Sequence, residues 1–197
     1  MKLSLIRIST LLLFFLFAVV SPAGTTLTFD TLGSGAIPNG YGGLDWSTYF
    51  YTLDADTYGF PSGYQNGTVS HPMVAYNAYA LDVYFSSITP FTFDSAYLTA
   101  AWNNGLNIEV QGLNGATVVY DETVVVNATG PTLFNFDYSN VTEVYFSSFG
   151  GTSAGYAGGG THFVMDNLTI NATVPEPAAF LLVGAGLMGL VALRRRA

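Results

Sequence analysis

Asn114-Gly115, set between "NIEVQGL" and "ATVVYDE", constrains the fold of this chain more than any other feature. Both residue types tolerate positive φ, and a two-residue Asn-Gly loop matches the right-handed twist of paired strands, so it predicts a β-hairpin. Asn103-Asn104-Gly105 repeats the signal between "AYLTAAW" and "LNIEVQG" and predicts a second hairpin. In "NIEVQ", Ile108 and Val110 alternate with Asn107, Glu109 and Gln111, the period of a strand with one buried face.

The same grammar runs along the body of the chain. Short runs of Val, Thr, Tyr and Phe are separated by Gly, Asn, Asp and Pro. They predict strands near residues 25–29, 47–53, 81–86, 91–93, 96–102, 106–111, 117–120, 123–127, 132–137, 142–147 and 162–170, with Asp121-Glu122 in a turn. No helical period of useful length occurs between residues 24 and 174. Many short strands without helices predict an all-β fold, a two-sheet antiparallel β-sandwich with jelly-roll order as the first choice. Three longer segments, residues 30–43, 54–77 and 150–160, break the rhythm, and loops of that length commonly carry function.

The two ends are different. Lys2 and Arg7 precede an apolar run over residues 11–20, and Ser21-Pro22-Ala23 offers small residues for cleavage, so residues 1–23 read as a secretory signal peptide. At the other end, Pro175-Glu176-Pro177 is followed by sixteen uncharged residues, 178–193, and then Arg194, Arg195 and Arg196. A helix of that length spans about 24 Å, short of a hydrocarbon core of about 30 Å, so it enters a bilayer with local thinning. Its arginines stay on the cytoplasmic side. The expected organisation is therefore a signal peptide (1–23), one β-sandwich domain (24–174) and a membrane-inserting tail (175–197).

Charge narrows the function. All five Lys and Arg residues lie in the two ends, whereas all thirteen acids lie between Asp30 and Glu176. A body without a cation cannot grip phosphate backbones, so nucleic acid is excluded as a partner. Arginine clamps and lysine nucleophiles are likewise missing. Without cysteine, zinc–thiolate sites and thiol chemistry are excluded too.

The tail resembles the PEP-CTERM protein-sorting signal: the Pro-Glu-Pro, the apolar helix and the arginine cluster come in the family's order. That resemblance implies export across the inner membrane of a Gram-negative bacterium. It also implies processing by an exosortase, a membrane transpeptidase-like enzyme, in a setting of exopolysaccharide production.

The body resembles, more loosely, the lectin-like and carbohydrate-binding β-sandwich modules of secreted proteins, through "IPNGYGGLDW", "YLTAAW" and "HFVMDNLTI". The resemblance implies that the last strand pairs beside the first, and some such modules hold a structural calcium there. Asp30 ends the first predicted strand and Asp166 and Asn167 lie in the last, which makes them the candidate calcium ligands. The alternative is that these residues bond nearby backbone N–H groups. Asp54-Ala-Asp56 is a weaker calcium candidate, lacking a third oxygen ligand and a closing Glu.

Aromatic rings offer apolar faces and polar edges suited to sugars. Tyr41, Trp46 and Tyr64, beside Gly-rich loops, are the stacking candidates, with Phe50 and Trp102 assigned to the core. His71 and His162 read as polar loop or strand-end residues, since no Gly-x-Ser-x-Gly elbow accompanies them. The expected function is a non-enzymatic glycan-binding or structural component of the cell surface or extracellular polysaccharide. The alternative is a polysaccharide-cleaving hydrolase or lyase, which would need a carboxylate pair.

Overall fold

The computed structural model describes residues 24–171. The signal peptide, Pro175, Glu176, Pro177, the apolar segment 178–193 and Arg194, Arg195 and Arg196 all lie outside those residues. Among the described residues no helix is long and apolar enough to cross a membrane.

The domain is all-β, and every pairing is antiparallel. Its strands are β1 (Thr25–Leu27), β2 (Gly35–Ala36), β3 (Asp45–Trp46), β4 (Phe50–Asp54), β5 (Met73–Asn77), β6 (Val83–Ala100), β7 (Asn103–Asn114), β8 (Thr117–Val126), β9 (Thr132–Ser153) and β10 (Phe163–Ile170), with one short helix, α1 (Gly63–Asn66), between β4 and β5. The bonded order is β2-β4-β5-β10-β6-β9-β7-β8, with β1 on β10 and β3 on β6. First and last strands pair, as the resemblance implied, with Thr25 opposite Ile170.

Two separate sheets were expected; the hydrogen-bond ladder is instead continuous. The 18-residue β6 and the 22-residue β9 run through both halves of the fold. Register shifts between Ser86 and Ser95 bend the pair, as strands that turn a sandwich corner must. The two halves then face each other. Phe146 of β9 meets Phe163 of β10 at 5.6 Å and Phe50 of β4 at 6.2 Å. Phe29, Phe50, Phe85, Phe93, Phe146 and Phe163 are fully buried in this core. Each stabilises the fold by about 1.5–3 kcal/mol of apolar burial.

The Asn114-Gly115 hairpin forms as expected, with Gly115 at φ 59° and Asn114 opposite Thr117. The one at Asn103-Asn104-Gly105 does not. Those residues belong to β7 and pair with β9, Asn103 opposite Ser153 and Asn104 opposite Thr152. The chain changes partners at Ala101-Trp102, because β6 is already flanked there by β10, with Ala100 opposite Phe163. Asn104 Oδ1 accepts from Ala128 N–H, so its side chain closes a neighbouring loop and not a hairpin. Asp121 and Glu122 are likewise strand residues of β8, opposite Gln111 and Val110. Inside the long segment 54–77, β5 pairs with β4 along its whole length, Phe50 opposite Asn77 and Asp54 opposite Met73.

Candidate functional site

The outer face of the β4–β5–β10–β6 half carries a second hydrophobic cluster, set apart from the core by strand alternation. Phe50, Met73, Ala75, Phe163 and Met165 point into the core, whereas Leu53, Val74, Tyr76 and Val164 point outward. Tyr51 lies opposite Tyr76, and Tyr76 opposite Val164, so one cross-strand row presents two tyrosines.

The segment between β4 and β5 folds back over this face and seats α1 on the end of β6. Gly63 N–H donates to the Ala101 carbonyl at 2.8 Å. A Cβ on Gly63 would stand 1.7 Å from the Ala100 carbonyl oxygen, so only glycine allows this approach. Tyr64, the next residue, is thereby pressed between Tyr76, at 5.3 Å and 75°, and Trp102, at 5.4 Å and 89°. Tyr58 packs on Tyr64 from the same segment at 5.1 Å. Edge-on ring pairs of this kind add about 0.5–1.5 kcal/mol each beyond their buried area.

Trp102 and His162 close one side of the cluster. The Trp102 Nε1–H donates to His162 Nδ1 at 3.0 Å. Nδ1 is therefore an acceptor, which leaves the imidazole proton on Nε2. Burial also pushes the His162 pKa below 6.5, so the ring is neutral. Gly158 lies against the Trp102 ring, where a Cβ would come within 2.5 Å of the indole carbons. The Gly-rich segment 150–160 is thus a fitted cover for Trp102. On the opposite rim, Tyr79 adopts φ 60°, a left-handed conformation uncommon for a bulky residue. The residue is 71% exposed, and its ring meets Tyr49 edge-on at 5.8 Å. Backbone strain that holds an aromatic ring in solvent at a rim fits a contact role.

Between these groups lies a depression of about 330 Å³, lined by Tyr51, Leu53, Tyr58, Tyr64, Tyr76, Ala78, Tyr79, Trp102 and His162. No Asp or Glu lines it. Burial raises the hydroxyl pKa of both Tyr64 and Tyr76, so they remain neutral donors and acceptors. Such a surface offers π faces to C–H groups and hydroxyl edges to polar ones. A second depression, of about 340 Å³ near Asn114 and Tyr120, has a single aromatic lining residue.

The three stacking candidates from the sequence are not brought together. Tyr64 forms the floor of the depression. Trp46 is only 6% exposed and belongs to the core, ringed by Phe29 at 5.9 Å, Phe50 at 5.0 Å and Phe85 at 5.3 Å. Its Nε1–H donates to the Tyr41 carbonyl at 3.0 Å. Tyr41 in turn accepts the Phe29 N–H at its hydroxyl, 3.0 Å away, and is held as a strut beside Trp46. Trp46 thus offers no free face to a sugar, and Tyr41 is half-buried beside it.

The calcium candidates bond loop N–H groups. Asp166 is fully buried and takes Val69 N–H at 2.6 Å and Ser70 N–H at 2.9 Å on Oδ2. Its Oδ1 accepts Asn167 N–H at 2.7 Å and faces Ser70 Oγ at 3.1 Å. Burial still leaves its pKa raised despite these donors. Asn167 Oδ1 lies 2.9 Å from Ser70 Oγ, and Asp30 Oδ1 accepts Met73 N–H at 3.0 Å. Together they latch residues 69–73 to β10, through Asp166 and Asn167, and to the turn after β1, through Asp30. Asp54 holds Thr57 N–H at 3.0 Å, and Asp56 pairs with exposed His71 at 2.6 Å. Among the described residues no three His, Cys, Asp or Glu side chains converge as a metal site.

Tyr51 and Tyr58 lie among eight aromatic residues between positions 41 and 64, and nothing in the sequence separates them from core residues. Tyr76 carries no signal beyond the long segment 54–77 in which it lies, and Tyr79, just beyond that segment, carries none. His162, read as a polar strand-end residue, is instead half-buried against Trp102, and Trp102, expected in the core, is buried within the second cluster.

Residues 173–196 match the PEP-CTERM protein-sorting motif, so the chain carries that motif at its C-terminal end. No curated protein matches the chain. Among solved structures it is similar to TmCBM61 in complex with β-1,4-galactotriose, at 6% identity and a TM-score of 0.34, covering 64% of this chain and 85% of that one. It is also similar to a structure described as CBM4, at 18% identity and a TM-score of 0.32, covering 61% of this chain and 84% of that one.

Proposed function

We propose that this is an exported, exosortase-sorted protein of a Gram-negative cell surface or matrix, whose β domain binds a glycan without cleaving it. The sorting motif over residues 173–196 supports the export and the exosortase partnership. In this reading the tail inserts in the membrane at least until it is processed.

The observation that carries glycan binding is the depression bounded by Tyr51, Tyr58, Tyr76 and Tyr79 over a floor of Tyr64. Its volume lies at the lower end of small-ligand clefts, which run from about 300 to 1,000 Å³. That suits one or two sugar rings stacked on tyrosine, with phenol hydroxyls bonding the ring hydroxyls. Hydrolysis would need two carboxylates flanking the bond to be cut. The lining contains none, which favours binding over cleavage.

Calorimetric titration with a panel of oligosaccharides tests the reading. At least one should bind, and Tyr79→Ala should weaken it by about 3- to 10-fold, the worth of one aromatic contact. Binding that is indifferent to Tyr79, or release of shortened products, would remove the proposal.

A further inference from the structure

The tyrosine depression has an electrostatic character that selects among glycans, and this step rests on the glycan-binding reading. We propose that the sugar it holds carries a free amino group, so that the ligand is a cationic, amine-bearing glycan and not an acidic one.

Two independent features point the same way. The first is local. Tyr51, Tyr58, Tyr76 and Tyr79 keep ring surface open to the depression, above the buried Tyr64 and Trp102, and an aromatic ring carries the negative pole of its quadrupole on its faces. An ammonium within about 6 Å of such faces is attracted, most strongly where several rings share it. Tyrosine hydroxyls accept its N–H groups as readily as they bond sugar hydroxyls. A carboxylate or sulfate would meet the same faces repulsively.

The second is global. No Lys or Arg occurs between Arg7 and Arg194, while twelve acids lie in the described residues, Asp30 through Asp166. The net charge of the described domain is therefore negative and is not offset by fixed cations, which favours the approach of a cationic ligand. His162 is the lining group that could have supplied a positive charge. It does not, because its Nδ1 already accepts the Trp102 N–H. An acidic polysaccharide would thus find no partner charge in the depression.

The absence of a lining carboxylate matters as well. An ion pair would hold any amine regardless of its carrier. A ring-walled depression of about 330 Å³ instead needs the body of a sugar beneath the charge to fill it. Selection then reads the charge and the ring together.

The test titrates the full chain, in a polyoxyethylene detergent free of sugar headgroups, with three tetrasaccharides. These are β-1,4-linked glucosamine, its N-acetylated form and a uronic acid tetramer, at a pH where the amine is charged. Glucosamine should bind roughly 2- to 30-fold tighter than the acetylated form, with the uronate weakest. The share of the preference that ring contact supplies should survive high salt, because that contact is short-ranged, whereas the share from net charge should fall. The preference should be lost in Tyr76→Ala and in Tyr79→Ala, the latter altering a residue that is already 71% exposed. Equal or tighter binding of the acetylated or uronate form overturns the amine preference and leaves glycan binding standing. A preference that survives both substitutions assigns it to surface charge alone and overturns it too. Failure of all three to bind, alongside failure of the wider oligosaccharide panel, overturns the glycan-binding reading itself.

Discussion

Trp102 donates its indole N–H to the Nδ1 of His162 across 3.0 Å, which ties the end of β6 to the start of β10 beneath the tyrosine depression. The bond needs an unprotonated Nδ1, and the ring is half-buried, so the folded protein favours neutral His162.

Acid should therefore weaken the fold through this residue. With the folded pKa lowered, the unfolded chain takes up the proton first as pH falls past 6.5. The stability that His162 contributes is whole above that value and is lost as pH drops toward the folded pKa. Urea midpoints measured on either side of pH 6.5 should fall on the acid side. The decline attributable to this site should vanish in His162→Gln, whose amide oxygen can accept the Trp102 proton at any pH.

Gly63→Ala should unseat α1, which carries the floor of the depression. The added methyl would stand 1.7 Å from the Ala100 carbonyl oxygen, which is backbone and cannot step aside. Destabilisation of about 1–3 kcal/mol is expected from overpacking, along with faster proteolysis of the segment between β4 and β5. Gly59→Ala in the same segment meets nothing within 4 Å and should change stability by less than about 0.5 kcal/mol. Equal effects of the two substitutions would mean that α1 does not depend on this close approach.

Local patterns made much of the fold legible. The alternation in "NIEVQ" correctly places Ile108 and Val110 in the core, both fully buried, and Asn114-Gly115 correctly turns β7 into β8. What local patterns could not show is which strands continue through a bend. Residues 81–86, 91–93 and 96–102 read as three strands because Thr89-Pro90 and the bulges interrupt the pattern, yet β6 runs through them. The site was hidden for a related reason. Trp46 follows the Gly-rich "NGYGG" and looks solvent-facing, but β3 docks beside β6 and turns the indole inward. Tyr76 faces outward only because Asn77 faces inward, where its Oδ1 accepts Phe163 N–H at 2.7 Å. That parity is set by a partner 86 positions away in the chain.

The latch on residues 69–73 should not require calcium. Both Asp166 oxygens already receive N–H groups at 2.6–2.9 Å. Calcium and chelator should therefore leave the thermal midpoint unchanged. Asp166→Asn, which turns one acceptor into a donor facing Val69 or Asn167, should cost about 2–3 kcal/mol. A rise in midpoint with calcium that disappears in Asp166→Asn would show that the loop reorganises around an ion.

Trp46→Ala and Tyr79→Ala should separate folding from binding. Trp46 is ringed by Phe29, Phe50 and Phe85 and is 6% exposed, so truncation opens a cavity between the two halves of the sheet. A loss of about 3–5 kcal/mol is expected, enough to unfold a domain of ordinary stability. Tyr79 contacts Tyr49 at one edge and is otherwise in solvent, so its truncation should cost less than about 1 kcal/mol. Alanine inherits the left-handed φ of 60° at that position; Tyr79→Gly relieves that strain and should be the more stable of the two variants. Urea unfolding and oligosaccharide titration on the same samples settle the assignment. Trp46→Ala should fail in the first, whereas both Tyr79 variants should fold and bind more weakly. Unimpaired stability in Trp46→Ala would return that indole to the surface and, with it, the site to the face where the sequence first placed it.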